Sequence, residues 1–197
     1  MIFPIIALTN NRMATCSADK LIKIWRSEAP YDLIEVLLGH TRNVYSIIQL
    51  KGKEVLLSIS ADNSLIKWDL SVYQSELFVE VSTCDCNCIV ELGKSILIGG
   101  YEMLILINKD TFIIEKVFID DTNSIGRRRA ILEINSDSIL CGCSEGRMCL
   151  YHIKENAIDI QSKCHSKNIS SFLRIDSNHF ISSSWDSSIK LTINIYM

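Results

Sequence analysis

Short apolar runs punctuated by polar turns recur along the whole chain, and none carries the spacing of an amphipathic helix. The clearest stretch opens with Val44-Tyr45-Ser46-Ile47-Ile48-Gln49-Leu50 and a polar turn at Lys51-Gly52-Lys53. A strand of small and apolar residues follows, then a turn at Asp62, then Leu65-Ile66-Lys67-Trp68, and last Glu76-Leu77-Phe78-Val79-Glu80-Val81. Each run has strand length and turn residues at its ends, so the pattern predicts four strands in a unit of about 40 residues. The fold expected from this is all-β.

The unit repeats. Met13-Ala14-Thr15-Cys16-Ser17-Ala18-Asp19 leads to Trp25, and Leu56-Leu57-Ser58-Ile59-Ser60-Ala61-Asp62 leads to Trp68, six residues after the Asp in both. Ile181-Ser182-Ser183-Ser184-Trp185-Asp186 reaches Thr192 at the same interval, and Leu140-Cys141-Gly142-Cys143-Ser144-Glu145 reaches Tyr151. The weakest copy is Ile98-Gly99-Gly100-Tyr101-Glu102, ending near Ile107 or Asn108. Acidic positions 19, 62, 102, 145 and 186 are therefore 43, 40, 43 and 41 residues apart. Five units fall at about 1–39, 40–82, 83–123, 124–164 and 165–197, read as one domain. Four strands at this period predict propeller blades.

Gly39-His40, Ser58, Asp62 and Trp68-Asp69, with weaker echoes elsewhere, resemble the WD40-repeat family, and the resemblance covers essentially the whole chain. It implies a WD40-type β-propeller of five four-stranded blades. It also implies that a histidine, a strand hydroxyl, a turn aspartate and a tryptophan form a hydrogen-bonded network fixing each blade. His40, Ser58, Asp62 and Trp68 match this best, and His165, Ser182 and Asp186 form a second set in which Thr192 breaks the aromatic. Unit one offers Thr15, Asp19 and Trp25 without a preceding histidine. Units three and four depart most, lacking the Gly-His pair and carrying Glu102 and Glu145 for Asp. A buried aspartate needs a donor, and imidazole or indole N–H supplies one. These residues are catalytic in type and structural in expected role.

The first unit opens on an inner strand, about Phe3 to Leu8, and the last stops after a third strand, about Ile189 to Ile195. An open or incomplete ring is expected. It can be an arc completed by a partner or a second copy, or a fragment of a longer protein; a closed five-bladed ring is the remaining alternative. An open arc exposes apolar blade faces and a strand edge, and so predicts partners.

Composition narrows the function classes. A net charge of −3 offers no footprint for nucleic acid. No apolar run is long enough for a membrane-spanning helix, and the opening Met1-Ile2-Phe3-Pro4-Ile5-Ile6 reads as a strand, not a signal peptide. Cys84, Cys86 and Cys88 alternate, as do Cys141 and Cys143, which places each group on one strand face as small buried hydrophobes. Cytoplasmic placement, with the nucleus as an alternative, is the expectation.

Enzyme chemistry finds little support, since the spacing of His40 and His165 suits the structural network and no nucleophile-elbow or HExxH motif exists. Cys84-Asp85-Cys86-Asn87-Cys88 lacks the paired spacing of a structural zinc site, and no metal or cofactor is implied. Gly126-Arg127-Arg128-Arg129 raises a phosphoinositide or phosphopeptide reader as the alternative function, but reads more simply as a solvated blade edge. The favoured function is a non-catalytic protein-interaction scaffold that presents a propeller face to partner proteins or peptides, with completion of the propeller by a partner as one of the alternatives above, and without nucleic-acid binding or membrane insertion. The family resemblance places contact residues where each inner strand begins and just before each acidic turn. Those positions hold Phe3, Asn43, Tyr45, Asp85, Asn87, Tyr101, Arg127, Arg129, Asn168, Ser170 and Trp185. Asn43, Tyr45, Tyr101, Arg127, Arg129 and Trp185 are the leading candidates, because tyrosine, tryptophan and arginine dominate interface hot spots.

Overall fold

The computed structural model describes residues 2–81, 86–101, 103–119, 126–155 and 157–193. They form nineteen strands in five antiparallel sheets. The first sheet holds β1 (Ile2–Leu8), β2 (Arg12–Ser17), β3 (Ile22–Arg26) and β4 (Leu33–Leu37). The second holds β5 (Val44–Gln49), β6 (Val55–Ser60), β7 (Ser64–Asp69) and β8 (Gln74–Glu80). The third holds β9 (Cys88–Leu92), β10 (Ser95–Gly99), β11 (Met103–Asn108) and β12 (Ile114–Ile119). The fourth holds β13 (Ala130–Glu133), β14 (Ser138–Gly142), β15 (Arg147–His152) and β16 (Ala157–Lys163). The fifth holds β17 (Ile169–Arg174), β18 (His179–Ser184) and β19 (Ile189–Ile193). Every sheet runs in sequence order, which is the up-and-down weave of a propeller blade.

Contacts divide the chain into two compact units, residues 1–91 and 92–197. In the first unit a core of Ile22, Ile24, Val44, Ile47, Leu56 and Trp68 is shared by the first two sheets. In the second, Ala130, Leu140, Met148, Ile169 and Phe180 join the fourth and fifth sheets. Middle strands are buried on both faces, so β6 and β14 read as apolar or small residues without polar alternation.

Among the described residues the fifth sheet ends at β19, and that strand is built differently from its counterparts. Ile189 opposes Ser183 across β18 just as Leu65 opposes Ile59 and Ile22 opposes Cys16. Leu65 and Ile22 are fully buried, whereas Ile189 is 73% exposed.

Register shifts interrupt three of the described first strands near their starts, β1 between Ile2 and Ile5, and β5 and β17 at a single residue each. The β5–β6 register skips at Tyr45 and the β17–β18 register skips at Ser170. A bulge leaves its extra residue outside the ladder and re-aims the side chain. Tyr45 and Ser170 hold equivalent places, each the second residue of a first strand.

Candidate functional site

The acidic turns are assembled from local hydrogen bonds before any long-range contact is made. Ser60 Oγ accepts the Asp62 N–H at 3.1 Å, and Asp62 Oδ1 accepts the Ser64 N–H at 3.1 Å. Asn63 sits between them at φ 62°. The same frame recurs at Ser17-Ala18-Asp19-Lys20-Leu21 and at Ser184-Trp185-Asp186-Ser187-Ser188, with Lys20 and Ser187 also at positive φ. The serine two residues before each of these aspartates is the sequence signal for the frame, and it was missed among the candidate network residues.

Onto this turn the second sheet adds its histidine. His40 Nδ1–H donates to Asp62 Oδ2 at 3.0 Å, Ser58 donates its hydroxyl to His40 Nε2 at 2.7 Å, and the Trp68 indole N–H donates to Ser58 Oγ at 2.8 Å. Only the Nδ1–H tautomer of a neutral ring gives every member of this relay a partner. Burial pushes the His40 pKa below its ordinary value against the opposing pull of Asp62. Burial also works to raise Asp62, but hydrogen bonds from Ser64, the Thr41 N–H and His40 outweigh it, and the carboxyl lies below its usual range. Gly39 precedes the histidine because a Cβ there would stand 2.9 Å from Trp68 Cη2.

Serine, histidine and aspartate in this order have the makeup of a hydrolase triad. Here the serine is fully buried and its oxygen already accepts the Trp68 N–H, so no substrate carbonyl reaches it. In the fifth sheet His165 meets Asp186 at 3.0 Å and Ser182 at 2.8 Å, and Ser182 is again fully buried. Thr192, opposite Phe180, holds the place that Trp68 holds opposite Leu56. In the first sheet the Trp25 N–H donates to Thr15 Oγ1 at 3.0 Å, while Asp19 is exposed and meets Lys23 at 3.5 Å. The grooves lined by Thr9, Gln49 and Lys51 and by Lys94, Ser95 and Glu133 include no histidine.

The fourth sheet corrects the expectation of a solvated arginine edge. Its register puts Cys141 at the place of Ser58 and Tyr151 at the place of Trp68. Ser144 donates its N–H to the Arg127 carbonyl as Ala61 does to Asn43 and Trp185 to Asn168, so Arg128 holds the place of Val44 and Ile169. Arg128 is fully buried there. It donates to the Tyr151 hydroxyl from Nε at 3.0 Å and from Nη2 at 2.8 Å, and to the Gly126 carbonyl from Nη1 at 2.9 Å. Strand alternation was the signal for it, since two outward arginines require the one between them to face inward. Glu145, at φ 59°, and Gly146, at φ 77°, make the turn. A Cβ on Gly146 would fall 1.9 Å from the His165 carbonyl oxygen, so only glycine fits.

Arg127 and Arg129 lie at the end of the blade where this turn sits. The Arg127 guanidinium is 5.9 Å from the Tyr101 ring centre, and the two residues form a bridge outside the named strands. On the other side the Arg129 guanidinium lies 4.7 Å from the centre of Trp185. Tyr101 is 46% and Trp185 56% exposed. Asn168 joins the same end by accepting the Glu145 N–H at 3.2 Å. Residues 92–197 therefore hold two aromatic–guanidinium pairs, Tyr101 with Arg127 and Trp185 with Arg129, on either side of Arg128 in the chain.

The other candidates sit apart from these pairs. Asn43 and the bulged Tyr45 are at the start of β5 in the first unit. Asn87 is buried, and Ser170 turns its hydroxyl to the Ser183 carbonyl at 3.1 Å. Cys84, Asp85 and Glu102, and the side chain of Phe3, lie outside the described residues. Cys86, Cys141, Cys143 and Cys149 are buried free thiols, and burial pushes Cys16 up to about 12.

Comparisons with known proteins agree with this architecture. A family model described as "WD domain, G-beta repeat" matches residues 6–26. The chain is similar to nuclear distribution protein nudF 1 of Talaromyces marneffei, 39% identical over 59 residues, which is 30% of this chain and 13% of that protein. It is similar to the WD repeat-containing protein 89 homolog of Dictyostelium discoideum, 24% identical over 76% of this chain and 41% of that protein. The matches thus span well under two-thirds of either relative. Among solved structures, the crystal structure of the computationally designed Ika8 protein superposes with a TM-score of 0.75 at 13% identity, covering 95% of this chain and 57% of that one. With its phased acidic turns, histidine–serine–aspartate–tryptophan relay and in-order sheets, the chain is similar to WD40-repeat proteins, and its sheets have the strand order of propeller blades.

Proposed function

We propose that the protein is a non-catalytic interaction scaffold, and that the two pairs formed by Tyr101, Arg127, Arg129 and Trp185 are its principal protein-binding face. One observation carries this reading: Trp185 stands 56% exposed in a turn, braced by Arg129 and outside the core aromatic position of its strand. An exposed tryptophan held rigid by a neighbouring guanidinium offers large contact area at little ordering cost, the character of an interface anchor. The catalytic-type side chains His40 and His165 are engaged in holding blades, which leaves the blade ends as the surface free to vary. Asn43 and Tyr45 supply a second contact point in the first unit, and the exposed β19 is a further surface for a partner's strand. In this reading the protein works in a reducing compartment, the cytosol or nucleus, where seven described cysteines persist as thiols.

The test is affinity capture with wild-type chain and Trp185→Ala side by side, each checked by thermal melting. Since Trp185 is mostly outside the core, the variant is expected to melt within about 2 °C of wild type and to lose specific captured proteins. Identical captured sets, or unfolding of the variant, would refute the assignment.

A further inference from the structure

We propose that the chain associates with a second copy of itself, the fifth sheet of one copy seating face to face on the first sheet of the other. Side chains alternate along a strand, so each sheet has an aromatic side and a reverse side. The aromatic side carries the strand hydroxyl and aromatic places, Ser58 and Trp68 in the second sheet and Thr15 and Trp25 in the first. Within each compact unit, one sheet's aromatic side covers the reverse side of the sheet before it. Leu56, Ile66 and Trp68 share a core with Ala14, Ile22 and Ile24, and Phe172 and Phe180 share one with Leu132, Leu140 and Met148. The reverse sides hold an apolar row across three strands, Ile6–Ala14–Ile24 in the first sheet and Leu132–Leu140–Leu150 in the fourth.

The fifth sheet has the same row, Leu173–Ile181–Leu191, and among the described residues it lies open. Leu173 is 64% and Leu191 58% exposed, and the exposed Ile189 stands on the same side. Burial along the middle strands shows what is uncovered. β6 is buried on both sides, whereas β2 and β18 alternate. On β18 the open side is the reverse one, since Phe180 and Ser182 are buried and Ile181 and Ser183 are not. On β2 it is the aromatic one. Met13 and Trp25 are only half-buried, although Leu56 and Trp68 at the same places are fully buried. Ile5, opposite Thr15 on that side, is 63% exposed.

The two open faces are therefore of opposite kind, and the contact that joins such faces is already made twice inside the chain. A second copy supplies the matching face at equal concentration. Neither face sets a charge against the other. The rows Leu173–Ile181–Leu191 and Ser171–Ser183–Ile189 are uncharged, and Lys23 on the first-sheet face is tied to Asp19 at 3.5 Å. Covering these side chains removes apolar surface from water, which drives association. Each copy offers two different surfaces, so the contact is heterologous. It involves neither the Tyr101–Arg127 nor the Trp185–Arg129 pair.

The experiment is sedimentation velocity of the full chain from about 1 to about 200 μM, a range that spans micromolar affinities. Wild type is expected to shift from single chains to larger species with concentration. Ile5→Glu and Leu191→Glu each place a charge on one face and should each weaken association by about tenfold or more. Mixing the two variants is the decisive arm. Every contact in either variant alone includes a spoiled face, but the mixture can join the intact fifth sheet of Ile5→Glu to the intact first sheet of Leu191→Glu. A one-to-one complex that grows no further is expected, and its formation shows that both variants are folded. Adding sodium sulfate to wild type should strengthen an apolar contact, a readout independent of any variant. A chain that stays single at every concentration overturns the inference. So does association indifferent to both substitutions, weakened by sulfate, or not recovered on mixing.

Discussion

Asp62→Ala should be far more damaging than Asp19→Ala, although the two aspartates occupy the same turn. Asp62 accepts four hydrogen bonds, from His40 Nδ1, the Thr41 N–H, the Ser64 N–H and the Ser64 hydroxyl. Thr41 is exposed, and water replaces its lost partner. Ser64 and His40 are buried, so their groups stay dry when the carboxylate is removed. The imidazole N–H retains the Ser64 oxygen at 3.0 Å, which softens the loss without repairing the Ser64 N–H. At about 1–3 kcal/mol for each orphaned buried group, the cost comes to about 3 kcal/mol. For a chain of this size that corresponds to a fall in Tm of about 6–12 °C. Asp19 is exposed, receives the Leu21 N–H at 3.0 Å and meets Lys23, and has no histidine behind it. Its removal should cost under about 1 kcal/mol, or less than about 4 °C. Circular-dichroism melts of the two variants at neutral pH decide the matter. Equal falls in Tm would show that the turn itself, and not its coupling to the buried histidine, carries the stability.

Acid should act on the same relay. The folded-state pKa values of His40 and Asp62 are both depressed, so the stabilisation of each is complete above its unfolded value and fades as pH falls. With unfolded values of about 6.5 and 3.9, Tm should begin to decline below about pH 6.5 and fall more steeply below about pH 4. A Tm that stays flat down to pH 4 would contradict a neutral, buried His40. In the fourth sheet, Arg128→Ala and Tyr151→Phe should be non-additive, since each leaves the other's polar group buried. Each single change should cost about 2–4 kcal/mol in urea unfolding and the double variant less than their sum by about 1–3 kcal/mol. Simple additivity would mean that the guanidinium and hydroxyl do not depend on each other.

How far the sequence disclosed this molecule depended on whether a position repeats. The sheets and their phase were legible because Asp19, Asp62 and Asp186 recur with the same strand pattern before and after them. The relay of His40, Ser58, Asp62 and Trp68 was legible for a related reason, since its members lie at fixed offsets within one unit. For Arg128 only the inward facing was legible, from the alternation of three successive arginines, and not the partner, a tyrosine 23 residues away that repeats in no other unit. The pairing of Arg129 with Trp185 was half visible. Both residues stood out as surface candidates, but their contact joins consecutive units, which a pattern confined to one repeat does not reach. Tyr45 and Ser170 were placed at strand starts, while the bulges that re-aim them come from register, a property of paired strands.

The fourth sheet shows that what repeats is a requirement for polar pairing and not a set of residue types. An indole nitrogen can only donate, so Trp68 demands an acceptor beneath it, and the Ser58 hydroxyl meets that demand while passing its own proton to His40. A phenol oxygen also accepts. Once tyrosine takes the aromatic place, the need is for a donor, and Arg128 reaches Tyr151 with two N–H groups from a position that valine and isoleucine fill in other repeats. The strand hydroxyl then has no task, and Cys141 occupies its place. Nor is a histidine required to bridge to the turn, and the acidic residue there is released to the surface, where Glu145 meets Arg147 at 3.8 Å. The buried arginine and the cysteine at the strand-hydroxyl place in this sheet both accord with exchanging a donor for an acceptor at one aromatic position. The same exchange fixes Arg128 inward, and that is what leaves Arg127 and Arg129 standing on either side at the blade end.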